Sequence, residues 1–300
     1  MGSELADAYP VARRTFEEAD AAFRRDTSDS ARLSDLCFQG PESQLTLTEI
    51  TQPAILTAST AACRVLSELG IQPAFVAGHS LGEYSAHVAA ATIDFGDAVA
   101  TVRRRGRYMQ EAVPVGTGAM AAILGSDLET VTRACEEAAA GEVVSAANIN
   151  GPGQVVIAGA AGAVQRACER ALALGAKRAV PLSVSAPFHC ALMKPAEDRL
   201  APELRALPTH DPQVPVIANV DAEPKRDAAS AVEALVRQVS SPVRWEAVVR
   251  RLASEGVTTY VEVGPGTVLS GLVKKIHKDA RIVSFGSPAD VAAVVAACST

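Results

Sequence analysis

The chain has 300 residues, of which 48% are hydrophobic and 21% charged, and this composition excludes an intrinsically disordered protein. Its formal net charge of −6 argues against nonspecific nucleic-acid binding, and no apolar run approaches the roughly 18 residues that a membrane span needs. Six cysteines are scattered without a CxxC pair, which predicts the reduced thiols of a cytoplasmic protein and no metal site.

In the first third of the chain, apolar periodicity predicts helices that are interrupted by a polar segment at 27–45 and by one buried strand at 74–77. Pro53 is expected in the first turn of the second helix, where its missing N–H costs nothing. The predicted helices cover residues 3–25, 51–69, 83–91 and 95–113.

The middle third predicts the order β-α-β-β-α-β, which is that of a ferredoxin-like unit. Its strands are predicted at 119–124, 143–148, 154–158 and 178–184, and its helices at 128–139 and 163–174. We expect this unit to form a small subdomain at 116–186, inserted into a large α/β subdomain made of 1–115 and 187–300. The last third is predicted to hold strands at 214–220 and 258–263 and helices at 192–207, 228–240, 243–255 and 266–278.

The sequence Gly78-His79-Ser80-Leu81-Gly82 lies between the predicted strand and the next helix, and it matches the GxSxG pattern of a nucleophile elbow. A sharp strand-to-helix turn would expose the hydroxyl of Ser80 as a nucleophile. The N-terminus of the following helix would favour negative charge there, and the N–H of Leu81 would be an oxyanion donor. The alternative is a glycine-rich turn in which the serine only caps the helix.

A serine nucleophile needs a base, and the chain offers five histidines. Position favours His189, because it stands where the predicted small subdomain rejoins the large one, and such junctions line clefts. A structural core histidine is the alternative for this residue. The other four have less suitable positions, namely beside the serine, on the elbow helix, in a polar turn and at a lysine-rich helix end: His79, His87, His210 and His277.

Helical periodicity places Arg105 on the apolar face of the helix predicted over 95–113, together with Ala98, Val102 and Met109. An unpaired buried guanidinium is costly, so a carboxylate is expected to pair with it. An internal salt bridge or a side chain that reaches back to solvent would satisfy this expectation. The other interpretation is that Arg105 binds an anionic substrate through a bidentate pair.

Six segments carry a further pattern: TQPA at 51–54, GHSLGEYSA at 78–86, RGRYMQ at 105–110, GPGQVVIAG at 151–159, HCALMKP at 189–195 and EVGPG at 262–266. In this order and spacing they closely resemble malonyl-CoA:acyl carrier protein transacylases, from end to end of the chain. The resemblance implies an α/β-hydrolase-like large subdomain with an inserted ferredoxin-like small one, matching the order of elements above. It also implies that no cofactor is permanently bound.

The resemblance implies that the chain moves a malonyl group from malonyl-CoA to the phosphopantetheine thiol of acyl carrier protein, in fatty-acid biosynthesis. Ser80 would form the malonyl ester, His189 would act as base and then as acid, and the backbone carbonyl of Gln238 would orient it. Arg105 would bind the malonyl carboxylate. Further substrate contacts are assigned to Gln52, Met109 and Phe188.

The side chain of Phe188 also bears on the acyl group. In related acyltransferase domains, a phenylalanine before the base accompanies malonyl, and a serine there often accompanies methylmalonyl. By this likeness Phe188 favours malonyl, because it fills the space that an α-methyl group would need.

An acidic carrier protein is the macromolecular partner that the resemblance implies. Because this chain is acidic as well, docking requires a local basic surface. Lys274, Lys275 and Lys278 form one candidate, and Lys177 with Arg178 forms another. We expect no nucleic-acid or membrane partner, and we expect a monomer.

The chain departs from the family at its N-terminus. The family usually opens with a short strand that ends in Gly-Gln-Gly-Ser-Gln, whose backbone supplies the second oxyanion donor, and we expect this segment upstream of Met1.

Three other functions stay open: a stand-alone acyltransferase for a polyketide synthase, a serine esterase or thioesterase with His277 as its base, and a truncated, catalytically impaired carrier-binding protein.

Overall fold

The computed structural model describes residues 1–26 and 31–299, which form a mixed α/β fold. Helices dominate the first part of the chain, because apolar residues recur there every three or four positions. In chain order the elements of this part are α1 (Ser3–Ala8), α2 (Pro10–Phe23), α3 (Leu33–Gln39), α4 (Glu42–Leu45), α5 (Thr48–Glu68), β1 (Val76–Ala77), α6 (Gly82–Ala89) and α7 (Phe95–Glu111).

The remainder of the chain alternates strands and helices. In chain order its elements are β2 (Gly118–Leu124), α8 (Leu128–Ala138), β3 (Val144–Gly151), β4 (Gln154–Ala160), α9 (Ala161–Ala173), β5 (Arg178–Pro181), α10 (Lys194–Ala206), β6 (Val216–Ile217), β7 (Pro224–Lys225), α11 (Ala228–Gln238), α12 (Trp245–Ser254), β8 (Thr259–Val263), α13 (Val268–Ile276), β9 (Arg281–Phe285) and α14 (Val291–Cys298).

Strands β2 to β5 form an antiparallel sheet in the order β3-β4-β2-β5. Because successive side chains of a strand point to opposite faces, Ile123 and Ile157 lie on one face, where they pack with Val131 under helices α8 and α9. Met120 lies on the opposite face and packs against Cys190. The sheet therefore has one face under its own helices and one face turned toward the rest of the protein.

The rest of the protein holds the longer helices and two small sets of strands. Strand β1 pairs in parallel with β6, which pairs antiparallel with β7, while β8 and β9 form a parallel pair. Helix α7 crosses α5 closely at Gly106, where a Cβ would lie 2.6 Å from the carbonyl oxygen of Thr48, so only glycine fits. This close crossing brings Arg105 of α7 beside Gln52 of α5.

Two connections, at 112–117 and 182–190, join the four-stranded sheet to the rest of the chain. In addition, its edge strand β3 pairs with the segment before α12. The N–H of Ile149 donates to the carbonyl of Val243 at 2.8 Å, and the N–H of Val243 donates to the carbonyl of Ala147 at 2.9 Å. The sheet is thus held against the segment that follows α11.

Several predicted helices have different bounds in the structure. The helix predicted over 3–25 is two helices, because Pro10 does not continue α1 and begins α2 instead. Helix α5 begins at Thr48, so the prediction that Pro53 lies in its first turn was wrong: this proline is inside the helix. Of the polar segment predicted at 27–45, residues 27–30 lie outside the described residues, and the remainder contains helices α3 and α4.

The strands predicted at 74–77 and 214–220 are reduced to the two residues each of β1 and β6. Pro215 comes directly before β6 and has no N–H with which to extend the pairing. The strand predicted over 178–184 ends at Pro181. Three further elements were not predicted from the sequence, namely β7, β9 and α14.

Across the two described ranges, no helix is both long enough and apolar enough to cross a membrane. The same residues include no group of three or more His, Cys, Asp or Glu side chains that could hold a metal ion.

Candidate active site

Ser80 lies in the sharp turn between β1 and α6, as the GxSxG pattern predicts. Its φ angle is 52°, a left-handed conformation that residues with a side chain rarely adopt. The turn is so tight that a Cβ at Gly78 would lie 2.0 Å from the carbonyl carbon of Gly82. The glycine at position 78 is therefore a steric requirement, and the turn places the serine at the N-terminus of α6.

A buried asparagine holds this turn in place. The side chain of Asn219 accepts a hydrogen bond from the N–H of Ser80 at 2.7 Å and donates one to the carbonyl of Gly78 at 2.7 Å. Its own backbone N–H donates to Glu83 Oε2 at 3.0 Å. Asn219 follows β6, the parallel neighbour of β1, so its side chain extends the pairing between the two strands where the backbone turns away.

The imidazole of His189 is the group that contacts the serine hydroxyl. Ser80 Oγ lies 2.7 Å from His189 Nε2, and His189 Nδ1 lies 3.0 Å from the backbone carbonyl of Gln238. Because a carbonyl only accepts, Nδ1 carries a proton and donates it, which leaves Nε2 of the neutral ring free to accept from Ser80. Burial, with the nearby Arg105 guanidinium, lowers the pKa of His189 to about 3, so the ring is neutral near pH 7.

The side chain of Gln238 connects the polar groups of the site. Its Nε2 donates to the carbonyl of Ser80 at 2.8 Å and to Glu83 Oε2 at 2.9 Å, and its Oε1 accepts from Arg105 Nη2 at 2.9 Å. The residue is fully buried. The family resemblance assigned a role only to its backbone carbonyl, whereas the structure shows that backbone and side chain both hold parts of the site.

Arg105 lies on the buried face of α7 together with Ala98, Val102 and Met109, as the periodicity predicts. Its Nη1 donates to Gln52 Oε1 at 2.6 Å, and its Nη2 also donates to Ser80 Oγ at 3.2 Å. Within the described ranges no carboxylate lies at ion-pair distance from this guanidinium. Arg105 therefore forms no direct salt bridge with a carboxylate of the described residues, which was one of the alternatives that the sequence left open. Burial lowers the pKa of Arg105.

The nearest carboxylate in the hydrogen-bond network belongs to Glu83, in the first turn of α6. Its Oε2 accepts from Gln238 and from the N–H of Asn219, and the side chain is fully buried. Burial raises its pKa to about 7, against the opposing effect of these hydrogen bonds and of the Arg105 charge. Glu83 and Arg105 are thus two buried charges of opposite sign that one glutamine side chain connects.

The remaining predicted residues occupy positions around this network. Leu81 follows the serine, and its backbone N–H has no hydrogen-bond acceptor among residues 1–26 and 31–299. Gln52 is buried and anchored by a donor bond from its Nε2 to Thr48 Oγ1 at 3.0 Å. Met109 is buried in the main core, and Phe188 is half-buried directly before the base. Their contact with an acyl group stays a prediction.

The other four histidines do not contact Ser80 Oγ. His79 Nε2 lies 2.8 Å from Asn150 Oδ1, which links the serine turn to strand β3. His277 Nδ1 lies 3.1 Å from the hydroxyl of Tyr260. The last two are one buried and one exposed residue, His87 and His210.

Sequence reasoning from single residues missed Asn219 and Glu83. Glu83 stands three residues after the serine, in the first turn of a helix, and this acidic position alone is typical of ordinary helix capping. Asn219 lies two residues after β6, inside the segment that the sequence predicts as a strand at 214–220, so no local signal marks it as a polar contact of the site. What makes either residue important is a contact across the chain, to partners more than 130 positions away.

Comparison with known proteins finds a family model and relatives that match nearly the whole chain. Residues 1–298 match the model of the acyl transferase domain family. The chain is 51% identical over 296 residues to the malonyl CoA-acyl carrier protein transacylase of Escherichia coli K12, an alignment that covers 98% of this chain and 94% of that protein.

Two solved structures have nearly the same fold. An acyl carrier protein S-malonyltransferase from Vibrio cholerae superposes with a TM-score of 0.94 at 49% identity, covering 98% of this chain and 94% of that one. A malonyl-transacylase solved in complex with a type II PKS acyl-carrier protein also gives 0.94, at 47% identity, covering 100% of this chain and 95% of that one. With a family model matched over nearly its whole length and relatives at about half identity, this chain belongs to the acyl transferase family.

Proposed function

We propose that this chain transfers a malonyl group from malonyl-CoA to the phosphopantetheine thiol of acyl carrier protein, in fatty-acid biosynthesis. The observation that carries the proposal is that a histidine and an arginine both contact the hydroxyl oxygen of Ser80. Ser80 Oγ lies 2.7 Å from a neutral histidine and 3.2 Å from a buried arginine that has no directly paired carboxylate in the described part of the chain. A nucleophile, a base and a site for an acidic acyl group thus lie together.

In the first half-reaction, Ser80 Oγ attacks the thioester carbonyl carbon of malonyl-CoA while His189 Nε2 takes the hydroxyl proton. The N–H of Leu81 donates to the oxyanion that forms on the carbonyl oxygen. The carbon–sulfur bond then breaks, and the imidazolium gives its proton to the departing CoA thiolate. The second half-reaction runs the same steps in reverse order, with the carrier thiol as nucleophile, so the kinetics are ping-pong. No permanently bound cofactor takes part.

The Gln238 carbonyl supports this role for His189 without the help of a carboxylate. It fixes the tautomer that leaves Nε2 ready to accept a proton. A carbonyl stabilises the imidazolium less than a carboxylate would, and a thioester demands less of its base. The leaving thiolate, with an ordinary thiol pKa near 8.5, departs far more easily than an amine or an alkoxide.

The acyl preference is assigned to Arg105. Three of its five N–H groups are engaged by Gln52, Gln238 and Ser80, so others remain for the free carboxylate of a malonyl group. An acetyl group offers no partner for this buried charge. Met109 and Phe188 would form apolar walls beside the acyl group and exclude water, which favours transfer over hydrolysis.

We also propose the division into a ferredoxin-like small subdomain at 116–186 and an α/β-hydrolase-like large subdomain made of 1–115 and 187–300. The sheet order β3-β4-β2-β5 with two helices on one face supports the first. The strand-turn-helix at Ser80, beside a parallel neighbour strand, supports the second. His189 and Asn150 then lie at the boundary of the two subdomains, which is where a cleft is expected.

The acyl carrier protein would dock on a basic rim composed of Lys177, Arg178, Lys274, Lys275 and Lys278, all of which are exposed. The two predicted basic patches lie at the same end of the four-stranded sheet. Arg178 of β5 pairs with Leu124 of β2, which in turn pairs with Gln154 of β4. The side chain of Gln154 accepts a hydrogen bond from Lys275 Nζ at 3.3 Å. A carrier bound there would have its prosthetic group close to the cleft.

The direct test is the intact mass of the chain after incubation with malonyl-CoA. We expect a malonyl adduct on the wild type and on Ser85→Ala, a matched control on the same helix, and no adduct on Ser80→Ala. Addition of phosphopantetheinylated carrier should remove the adduct much faster than water does. A wild type without adduct would favour the impaired carrier-binding protein, and rapid loss without carrier would favour an esterase.

A carrier protein of a polyketide synthase is the second candidate acceptor. It is favoured by the 47% identical malonyl-transacylase that was solved with a type II PKS acyl-carrier protein. Transfer rates from the acylated chain to a fatty-acid carrier and to a polyketide carrier would separate the two. The esterase hypothesis has less support, because its required base, His277, lies against Tyr260 and not against Ser80.

A further inference from the structure

We propose that Glu83 is the resident counter-ion of Arg105, and that it takes up a proton when the carboxylate of a malonyl group binds to that arginine. The inference rests on the proposed function, because it takes Arg105 as the site of the malonyl carboxylate. It adds a residue that sets acyl specificity by its charge and contacts the arginine only through another side chain.

A single amide connects the two charges. Gln238 Nε2 donates to Glu83 Oε2 at 2.9 Å, and Gln238 Oε1 accepts from Arg105 Nη2 at 2.9 Å. Because an ionised carboxylate only accepts hydrogen bonds, it fixes the amide with its nitrogen toward Glu83 and its oxygen toward Arg105. Glu83 and Gln238 are fully buried, and Arg105 is 2% exposed, so little water screens the pair.

The charge balance of the buried cluster changes when malonyl binds. Without a ligand, Arg105 and ionised Glu83 neutralise each other. A malonyl carboxylate on Arg105 would place two negative charges around one positive charge in a site closed to water, and such an excess is strongly unfavourable. One proton on Glu83 restores neutrality, and the proton can be held because the carboxylate is already poised, with a pKa of about 7.

The other charged and titratable groups around Glu83 come from its own helix and from three other segments. Arg105 of α7 stabilises its ionised form, Asp221 after β6 disfavours it, and the neighbouring hydroxyl of Tyr84 stays neutral, since burial raises its pKa to about 12. His189 also stays neutral across this range. Among these groups, Glu83 is the one whose pKa lies near neutrality.

The consequence is a pH dependence that belongs to the carboxylate of the substrate. Above the pKa of Glu83 in the free protein, malonyl-CoA must bind with uptake of a proton, so its affinity should fall, approaching about tenfold per pH unit. Acetyl-CoA carries the same thioester and the same CoA phosphates but no acyl carboxylate. Its affinity should therefore not fall with pH in this way, and the difference between the two ligands gives the part of the pH dependence that is due to the acyl carboxylate.

The experiment measures binding of malonyl-CoA and acetyl-CoA to Ser80→Ala, which cannot be acylated, by titration calorimetry at pH 8 in phosphate and in Tris. These buffers differ in ionisation enthalpy, so the difference in heat gives the number of protons taken up. We expect close to one extra proton for malonyl-CoA over acetyl-CoA. In Ser80→Ala/Glu83→Gln we expect none, with malonyl-CoA still bound and its affinity nearly independent of pH between 7 and 9.

Two further variants serve as controls. Glu262→Gln changes a different carboxylate, which is partly buried and accepts hydrogen bonds from two backbone N–H groups. This variant should leave the proton uptake unchanged. Asp221→Asn leaves Glu83 in place but removes a neighbouring negative charge, so the loss of malonyl-CoA affinity should begin at lower pH. This second variant keeps the test open even if the Glu83 variant does not fold.

Two results would overturn the inference: equal proton uptake with and without Glu83, or a preference for malonyl-CoA over acetyl-CoA with no proton uptake at all. The inference would also be contradicted if the affinity of Asp221→Asn for malonyl-CoA began to fall at the same pH as in the parent protein. Failure of the proposed function has a different signature, in which Ser80→Ala binds malonyl-CoA no better than acetyl-CoA and Arg105→Ala weakens both ligands equally.

Discussion

The core of the four-stranded sheet and the core around Ser80 are built from different side chains. Beneath α8 and α9 the sheet buries alanine, valine, isoleucine and cysteine. Among the residues that the structure describes, every buried polar or charged side chain lies outside 112–187, and seven of them come from the serine turn and its surroundings: Gln52, Glu83, His87, Arg105, His189, Asn219 and Gln238.

This difference predicts that substitutions in the two regions change different properties of the protein. An apolar core tolerates independent changes, since each side chain contributes its own buried surface. In the polar core each group satisfies another, so removing one member leaves a buried partner without its hydrogen bond or its charge. We therefore expect substitutions near Ser80 to affect the reaction first, and substitutions in the sheet to affect stability first.

The largest effect is expected for His189→Ala, which removes the proposed base and lies outside the four-stranded sheet. The rate of Ser80 acylation should fall by about 10²–10⁴-fold, because the serine hydroxyl loses its proton acceptor. The measurement is adduct formation under single-turnover conditions, with the melting temperature as a control for folding. A drop of less than tenfold would mean that another group takes the proton.

Arg105→Ala is expected to change both the acyl preference and the stability of the protein. It therefore tests how strictly the effects on the reaction and on stability are separated between the two regions. The preference for malonyl-CoA over acetyl-CoA should fall by about 10²–10³-fold as a charge-assisted pair is lost. The free energy of unfolding should fall by about 1–3 kcal/mol, because the buried side-chain oxygens of Gln52 and Gln238 lose their donor, while Glu83 can take up a proton. Arg107→Ala, an exposed position on the same helix, should change neither measurement appreciably.

Ile157→Ala probes the apolar side of the comparison. Ile157 is buried in the core under α8 and α9, so its truncation should lower the free energy of unfolding by about 2–5 kcal/mol. The kcat/KM of the folded variant should stay within a few-fold of the wild type. Urea unfolding and steady-state kinetics on the same sample check both statements, with exposed Leu172→Ala as control. A large kinetic defect with little loss of stability would break the proposed division.

Near pH 7 the smallest effect is expected from His87→Leu, and it is measured as the pH dependence of stability. Burial lowers the pKa of His87 to about 3, while its ordinary value is 6.5, so the unfolded chain binds a proton in this window that the folded chain does not. Stability is therefore lost as pH falls from 6.5 toward 3, at up to about 1.4 kcal/mol per pH unit for one such histidine.

In His87→Leu that loss should be smaller, as measured by urea unfolding between pH 4 and 8. Exposed His210→Ala should keep the wild-type slope. Since residues 112–187 contain no histidine, this part of the acid sensitivity belongs to the region around the serine. A slope unchanged by His87→Leu would show that the ring is protonated in the folded protein.

The parts of the site that are local in the chain could be predicted from the sequence. The GxSxG turn is set by neighbouring residues, and the buried face of α7 follows from its own periodicity, so Ser80 and Arg105 were predicted to be where they are found. The base required one longer step, because the position of His189 had to be inferred from the return of the chain to the large subdomain.

The contacts that hold these groups could not be predicted in this way. Gln238 donates to the Ser80 carbonyl across 158 positions, and Asn219 accepts from the Ser80 N–H across 139. No local pattern encodes such a partner, since it exists only when two distant elements are packed. The same reason explains why β9 was missed: the alternation of Arg281–Phe285 is weak, and its pairing with β8 defines it.

Within residues 1–26 and 31–299, five non-glycine residues have positive φ, and two of them are Ser80, at 52°, and His189, at 61°. The proposed nucleophile and base thus both have backbone conformations that glycine would adopt more easily. Each costs on the order of 1–3 kcal/mol, which the surrounding contacts must offset. Selection for stability alone would therefore favour glycine at both positions. A lineage that kept this fold but abandoned the reaction should therefore drift toward glycine at positions 80 and 189.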